Sequence, residues 1–206
     1  SNAVPINFVR HYQTKLNNGT FLGQGRNPGI DKSITSYPKY KPLSNIFSSP
    51  MRRCIETAKI FSKEFEIKTD DRLLEFNYGS AEGLNYDELV TQYPKILPNW
   101  QKGKDPSFPG GENTLDVHNR LQSFLEDLAK EIDTSNSKVP KYIVTHNGIL
   151  RCLLGNAFGL KQKEWYLLVI PHGIALEFLY HENHFHPNIP RKLLSEIMQN
   201  IGYSVA

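Results

Sequence analysis

Short apolar runs alternate with amphipathic stretches along this chain, and the alternation sets the expected elements. Residues 5–9 (PINFV) read as a short buried strand. Residues 45–48 read as a second strand running straight into a helix. Ser49 suits its N-cap, Pro50 its first helical position, and Ile55, Ala58, Ile60, Phe61 and Phe65 its buried face. Residues 66–69 suggest an edge strand, and residues 87–93 a short helix stopped by Pro94. Asn113 or Thr114 caps a long helix whose inward residues are Leu115, Leu121, Phe124, Leu125, Leu128 and Ile132. Residues 142–146 (YIVTH) form another buried strand and turn directly into a helix that closes on Gly159. Residues 173–181 give the last strong strand, paired with 183–186, and residues 189–201 a terminal helix.

Two stretches break every regular pattern. Residues 17–44 carry Gly19, Gly23, Gly25, Pro28, Gly29, Pro38 and Pro42, and predict a long irregular loop of the kind that usually carries function. Residues 73–84 predict a second loop. No repeat, low-complexity segment or linker divides the chain. Strands alternating with helices point to an α/β domain with a mixed or parallel sheet, spanning residues 4–206. Ser1-Asn2-Ala3 look like a cloning remnant.

Composition narrows the class. The chain has 206 residues, 39% hydrophobic and 22% charged, which suits an ordinary globular domain. A net charge of +3 is too balanced to argue for nucleic acid or an anionic membrane. No run of about 18 apolar residues suggests a membrane span, and no charged-then-apolar opening suggests a signal peptide. Cys54 and Cys152 are far apart and have no metal-ligand spacing, so a reducing, cytoplasmic location is expected.

Chemistry gathers at strand ends, where open α/β sheets bind ligands. The first strand ends in Arg10-His11, the second in Ser49-Pro50 with Arg53 one turn into its helix, and the 142–146 strand in His146-Asn147. Arginine offers a rigid fork matched to phosphate oxygens, and a helix N-terminus adds unpaired N–H groups. Together they describe an anion site.

Five segments then match one family in order. They are Arg10-His11-Tyr12-Gln13-Thr14, the Ser48–Ala58 run SSPMRRCIETA, the Leu73–Gly83 run LLEFNYGSAEG, Pro109-Gly110-Gly111-Glu112-Asn113, and Val144-Thr145-His146-Asn147-Gly148. The set resembles the histidine phosphatase superfamily, in its phosphoglycerate-mutase-like branch. The resemblance implies a three-layer α/β sandwich with a central, mostly parallel sheet and helices on both faces. It implies two-step phosphoryl transfer in which His11 is the nucleophile, Glu75 the acid and then the base, and Arg10, Arg53 and His146 hold the phosphoryl oxygens. The substrate-binding set it implies is Arg10, Arg53, His146, Asn147, Tyr12, Thr14 and Glu82. No metal and no cofactor are implied, because two arginines and a cationic histidine can supply the charge. Leu73, Leu74 and Phe76 give Glu75 the apolar flank that suits a proton donor.

Only 25 residues separate Gly83 from Pro109, roughly the phosphatase spacing, so the expected activity is hydrolysis of a small phosphorylated metabolite. The alternatives are a phosphoglycerate-type mutase, or a weakly active member that binds a phosphorylated ligand or protein. The expected chain is a monomer or homodimer with no nucleic-acid or membrane partner. Tyr12 stands where the family has glycine, and is expected at the phosphate. With Phe21, Tyr78, Tyr86, Trp100 and Phe108 it suggests an aromatic wall. Glu82 competes with Glu75 as the acid. Arg52 and His118 read as solvated, His172 ranks below the strand-end histidines, and His181, His184 and His186 read as a solvated turn rather than a zinc site.

Overall fold

The computed structural model describes residues 2–202. In chain order the elements are β1 (Val4–Arg10), β2 (Ile46–Ser48), α1 (Arg52–Phe61), β3 (Ile67–Thr69), α2 (Tyr86–Gln92), α3 (Ile96–Gln101), α4 (Thr114–Ser135), β4 (Lys141–Thr145), α5 (Asn147–Ala157), β5 (Ala175–His181), β6 (His184–Pro187) and α6 (Arg191–Ile197), with short 3-10 turns between some of them.

The strands make one sheet in the order β3-β2-β4-β1-β5-β6. From β3 to β1 every pairing is parallel, while β5 and β6 add antiparallel on the other side. This is the mostly parallel sheet expected. Side chains alternate across it, as the strand period requires. Val4, Ile6, Phe8 and Ile143 face one way and pack with residues of α4, α5 and α6. Val9, Ile46 and Val144 face the other way and pack with Cys54, Ala58 and Phe61 of α1. On that second face Tyr40, from the irregular 17–44 segment, packs its ring against Phe61 and Tyr142. A loop residue thus does part of a helix's covering work.

Register brings the chemistry together. Arg10 lies beside Thr145 and Ser48 beside Val144, so β1, β2 and β4 end at one level. Backbone bonds extend the pairing past the strands: the His11 N–H donates to the Thr145 carbonyl at 3.1 Å, and the Ser49 N–H to the Val144 carbonyl at 2.9 Å. His11, Ser49 and His146 therefore leave the sheet side by side.

Several local expectations need correction. Helix α1 starts at Arg52 with Met51 at the N-cap, not with Ser49, and it ends before Phe65. Its buried face is Arg53, Cys54, Thr57, Ala58 and Phe61, whereas Ile55 and Ile60 are only half-buried. The helix turns polar residues inward because that face borders the site. Leu115 is exposed, and Val117 takes its place in the α4 core stripe. The terminal helix is shorter, with α6 giving way to a 3-10 turn at Gln199–Ile201. The β5–β6 hairpin forms as expected, through Glu182 and Asn183, both in the left-handed region that suits a two-residue hairpin turn.

Candidate functional site

His11 sits just past the end of β1 and is nearly inaccessible. Its Nδ1 lies 2.7 Å from the Tyr12 carbonyl oxygen. A carbonyl can only accept, so Nδ1 carries the proton and Nε2 keeps a free lone pair. Thr57 Oγ1 accepts from the Tyr12 N–H at 2.8 Å and fixes the backbone that sets this geometry. Against the His11 ring, that of His146 packs edge-on at 5.3 Å, and that of His172 lies tilted at 5.5 Å.

Beside His11 opens a cavity of about 420 Å³. Arg10, His11, Glu75, Asn147, Arg151 and His172 are among its lining residues. Both carboxylate oxygens of Glu75 accept backbone N–H bonds, Oε1 from Phe76 at 2.9 Å and Oε2 from Gly148 at 3.0 Å. The Gly148 N–H belongs to the first turn of α5, so a helix N-terminus holds this carboxylate. A Cβ at Gly148 would collide with Glu75 Oε1 and the Phe76 ring.

Glu75 is fixed from behind as well. Arg120 of α4 donates to the carbonyls of Arg72, Leu74 and Glu75, at 2.9, 2.6 and 3.0 Å. It also pairs with Glu112, whose Oε1 accepts the Asn77 N–H at 2.8 Å. Gly79 has a φ of +51° and lies against the Pro109 carbonyl, leaving no room for a Cβ. The 73–83 and 109–112 segments are thereby interlocked, and Glu75 points into the cavity from their seam.

The arginines are held by carbonyls rather than carboxylates. Arg10 donates to the Ile170 carbonyl, Arg151 Nε to Leu168 at 3.0 Å, and Arg53 to Gly23 at 2.8 Å. Their positive charge is left unneutralised by any ion pair among the described residues. Burial, and then the charge of Arg151, lowers Arg10 to about 10, which leaves it protonated at neutral pH. The Nε atoms of Arg10 and Arg53 and the Oδ1 of Asn147 are buried with no hydrogen-bond partner. Phosphoryl oxygens are the acceptors that such guanidinium donors fit.

The sequence-derived set therefore splits. Arg10, His11, Glu75 and Asn147 line the cavity. Arg53 and His146 are fully buried next to it, and His146 Nε2 lies 2.8 Å from Ser49 Oγ. Burial and Arg53 hold His146 well below the ordinary histidine range, so it is neutral in the free protein rather than cationic as expected. Thr14 does not line the cavity; its Oγ1 donates to Asn17 Oδ1 at 2.9 Å, and Asn17 is the lining residue. Glu82 spends both oxygens on the irregular loop. It accepts from the Gly23 and Gly25 N–H groups at 2.9 Å each and pairs with Arg26 at 3.0 Å.

Tyr12 also turns away from the cavity. Its ring stacks on Tyr37 at 4.4 Å and its hydroxyl donates to the Pro38 carbonyl. Here the tyrosine anchors the 26–44 segment. Tyr12→Ala is expected to lower stability by about 3–5 kcal/mol, as for other buried aromatics, while leaving the ratios of kcat/KM among substrates unchanged. Thermal unfolding and a substrate panel check both parts.

Sequence reasoning missed Arg151, Asn17 and Thr20, and ranked His172 too low; all four line the cavity. Arg151 carried a usable signal. It lies four residues after Asn147 and shares its face of α5. The carbonyl-rich segment around Pro171 that gathers Arg10, Arg151 and His172 carried none.

Burial, then Arg53 and Arg10, also depresses His11 well below 6.5. Burial and Arg10 hold His172 at about 4. A group buried neutral takes up its proton only on unfolding, so stability is lost as pH falls below about 6.5. Lowering pH from about 6.5 to 5.5 is expected to cost about 1 kcal/mol for each of His11, His146 and His172. Denaturant melts at both pH values check this, and His146→Asn should remove about a third of the loss.

The site's geometry can be set beside known proteins. The chain matches a family model described as "Histidine phosphatase superfamily (branch 1)" over residues 6–188. It is 30% identical over 116 residues to phosphoserine phosphatase 1 of Hydrogenobacter thermophilus, covering 55% of each chain. The first curated relatives are matched over 19% to 55% of their own length. Among solved structures it resembles a mycobacterial glucosyl-3-phosphoglycerate phosphatase, with a TM-score of 0.72 at 20% identity, covering 91% of this chain and 98% of that one. It also resembles the alpha-ribazole phosphatase of Shigella flexneri, with a TM-score of 0.70 at 15% identity, covering 90% and 95%. These structural likenesses show a shared fold.

Proposed function

This chain belongs to the histidine phosphatase superfamily (branch 1), and we propose that it hydrolyses phosphate monoesters through a phosphohistidine formed on His11. The observation that carries the reading is the fixed tautomer: Nδ1–H is tied to the Tyr12 carbonyl, and Nε2 is left nucleophilic beside Glu75 and the arginines.

In the first step Nε2 attacks phosphorus and the bond to the leaving oxygen breaks. Glu75, protonated, gives its proton to that oxygen. The imidazole gains positive charge, which the Tyr12 carbonyl stabilises through Nδ1–H. Arg10, Arg53 and Arg151 balance the charge on the phosphoryl oxygens, which is the main demand of this reaction. In the second step Glu75, now a carboxylate, takes a proton from water. The resulting oxygen attacks phosphorus, the N–P bond breaks, and inorganic phosphate leaves with His11 neutral again. Because His11 is depressed below the ordinary range, the nucleophile stays available on the acid side of neutrality.

Three arginines supply the charge a metal otherwise brings, so the activity is expected to survive chelation. No helix among the described residues is long and apolar enough to cross a membrane. Cys54 and Cys152 are both unpaired, which supports a reducing, cytoplasmic location. The test is hydrolysis of p-nitrophenyl phosphate with EDTA present. Turnover unchanged by EDTA supports the reading. A folded protein with no turnover on this ester or on a panel of metabolite monoesters contradicts it.

A further inference from the structure

A second cavity, of about 290 Å³, adjoins the first. The two share Phe21, Tyr78, Tyr86 and Arg151 as lining residues. A ligand phosphate beside His11 would therefore have its leaving group at the mouth of this second space. Its walls are almost wholly apolar. Phe21, Tyr78 and Phe108 form a ring cluster, with centroids 4.9 to 5.7 Å apart. Across from them stands α3, whose Ile96, Leu97 and Trp100 are only half-buried although apolar. These side chains face the cavity instead of the core. Tyr86 and Tyr166, 50% and 48% exposed, lie at the rim.

Charge sharpens the picture. Arg151, at the junction, is the sole charged side chain among the lining residues described. No carboxylate is present to receive an ammonium group, and few polar atoms to receive hydroxyls. A zwitterionic or polyhydroxylated leaving group would lose its water there without replacement partners, at a cost. A flat hydrocarbon face would lose nothing and gain burial and ring contacts. A cavity of about 150 Å³ accommodates benzene, so this one has room for about two fused rings.

We propose that the preferred substrates are phosphate monoesters whose leaving group carries an uncharged, flat apolar ring system of up to about two rings, seated between the Phe21–Tyr78–Phe108 cluster and α3. The proposal rests on the phosphomonoesterase reading, because it takes the phosphate to sit beside His11. It departs from the phosphoserine in the name of one relative.

The experiment compares kcat/KM for 2-naphthyl phosphate, phenyl phosphate and phosphoserine. Naphthyl is expected to exceed phenyl by about tenfold or more, with phosphoserine lowest. Trp100→Ala and Leu97→Asp, both on the outer wall, should each reduce the naphthyl-to-phosphoserine ratio by about tenfold. Equal kcat/KM across the three esters, or a naphthyl preference untouched by both variants, overturns the proposal while leaving the hydrolase reading intact. A binding arm separates the two failures. Calorimetry with naphthylmethylphosphonate and methylphosphonate requires no turnover. If no ester is hydrolysed, tighter binding of the naphthyl compound still supports the apolar pocket, and equal or absent binding of the two overturns it.

Discussion

His11→Ala is expected to lower turnover by about 10⁴-fold or more, the scale seen when a covalent nucleophile is removed. His172 also lines the cavity, and its Nδ1, 3.2 Å from the His11 carbonyl, leaves its Nε2 free as well, so any activity left in His11→Ala should disappear in His11→Ala/His172→Asn. His146 is fully buried, with Nε2 on Ser49. Alanine also removes the donor to the Tyr12 carbonyl, so loss of packing must be separated from loss of chemistry. His11→Asn does this, because its amide can still donate to that carbonyl. Both variants should be equally inactive on p-nitrophenyl phosphate, with His11→Asn melting closer to the wild type. Residual activity within tenfold of wild type in His11→Asn would contradict the role given to Nε2.

Glu75→Gln should cost about 10²- to 10⁴-fold for ordinary alkyl esters, the range for a general acid–base group. The loss should depend on the leaving group. An alkoxide needs the proton that Glu75 delivers, whereas p-nitrophenolate departs without one. Dephosphorylation still needs the base, so p-nitrophenyl phosphate should show fast phosphorylation of the enzyme followed by slow release. A burst of p-nitrophenol in stopped flow, absent with alkyl esters, is the expected signature. Glutamine can accept only one of the two backbone N–H bonds from Phe76 and Gly148, so part of the loss is positional. An equal loss on all esters, without a burst, would move the acid–base role away from Glu75.

The sheet was legible because its strands are short apolar runs ending in turn chemistry. The convergence of Arg10-His11, Ser49 and His146 followed from strand ends meeting at one level, and the Arg10–Thr145 register shows how. Tertiary packing overrode local pattern elsewhere. Ser49 has the chemistry of an N-cap, yet it bonds the His146 ring, and α1 begins with no side-chain cap. Tyr12 stands where the family has glycine, which suggested a wall of the phosphate pocket. Its orientation is set by Tyr37 and Pro38, more than twenty residues away in a segment with no periodicity to read. Glu82 and Glu75 look alike in sequence. One is spent on the N–H groups of Gly23 and Gly25, and the other faces the cavity. Arg120 gave no local sign of its role, because the carbonyls it gathers lie 45 to 48 residues away.

The most direct measurement is to trap the covalent intermediate. Protein mixed with p-nitrophenyl phosphate is quenched in alkali within the first turnovers, and its peptides are mapped by mass spectrometry. The result expected is one phosphoryl group, stable to alkali and labile to acid, on the peptide containing His11, enriched in Glu75→Gln and missing in His11→Asn. Steady turnover with no phosphorylated His11 in either the wild type or Glu75→Gln would contradict a phosphohistidine route through this residue.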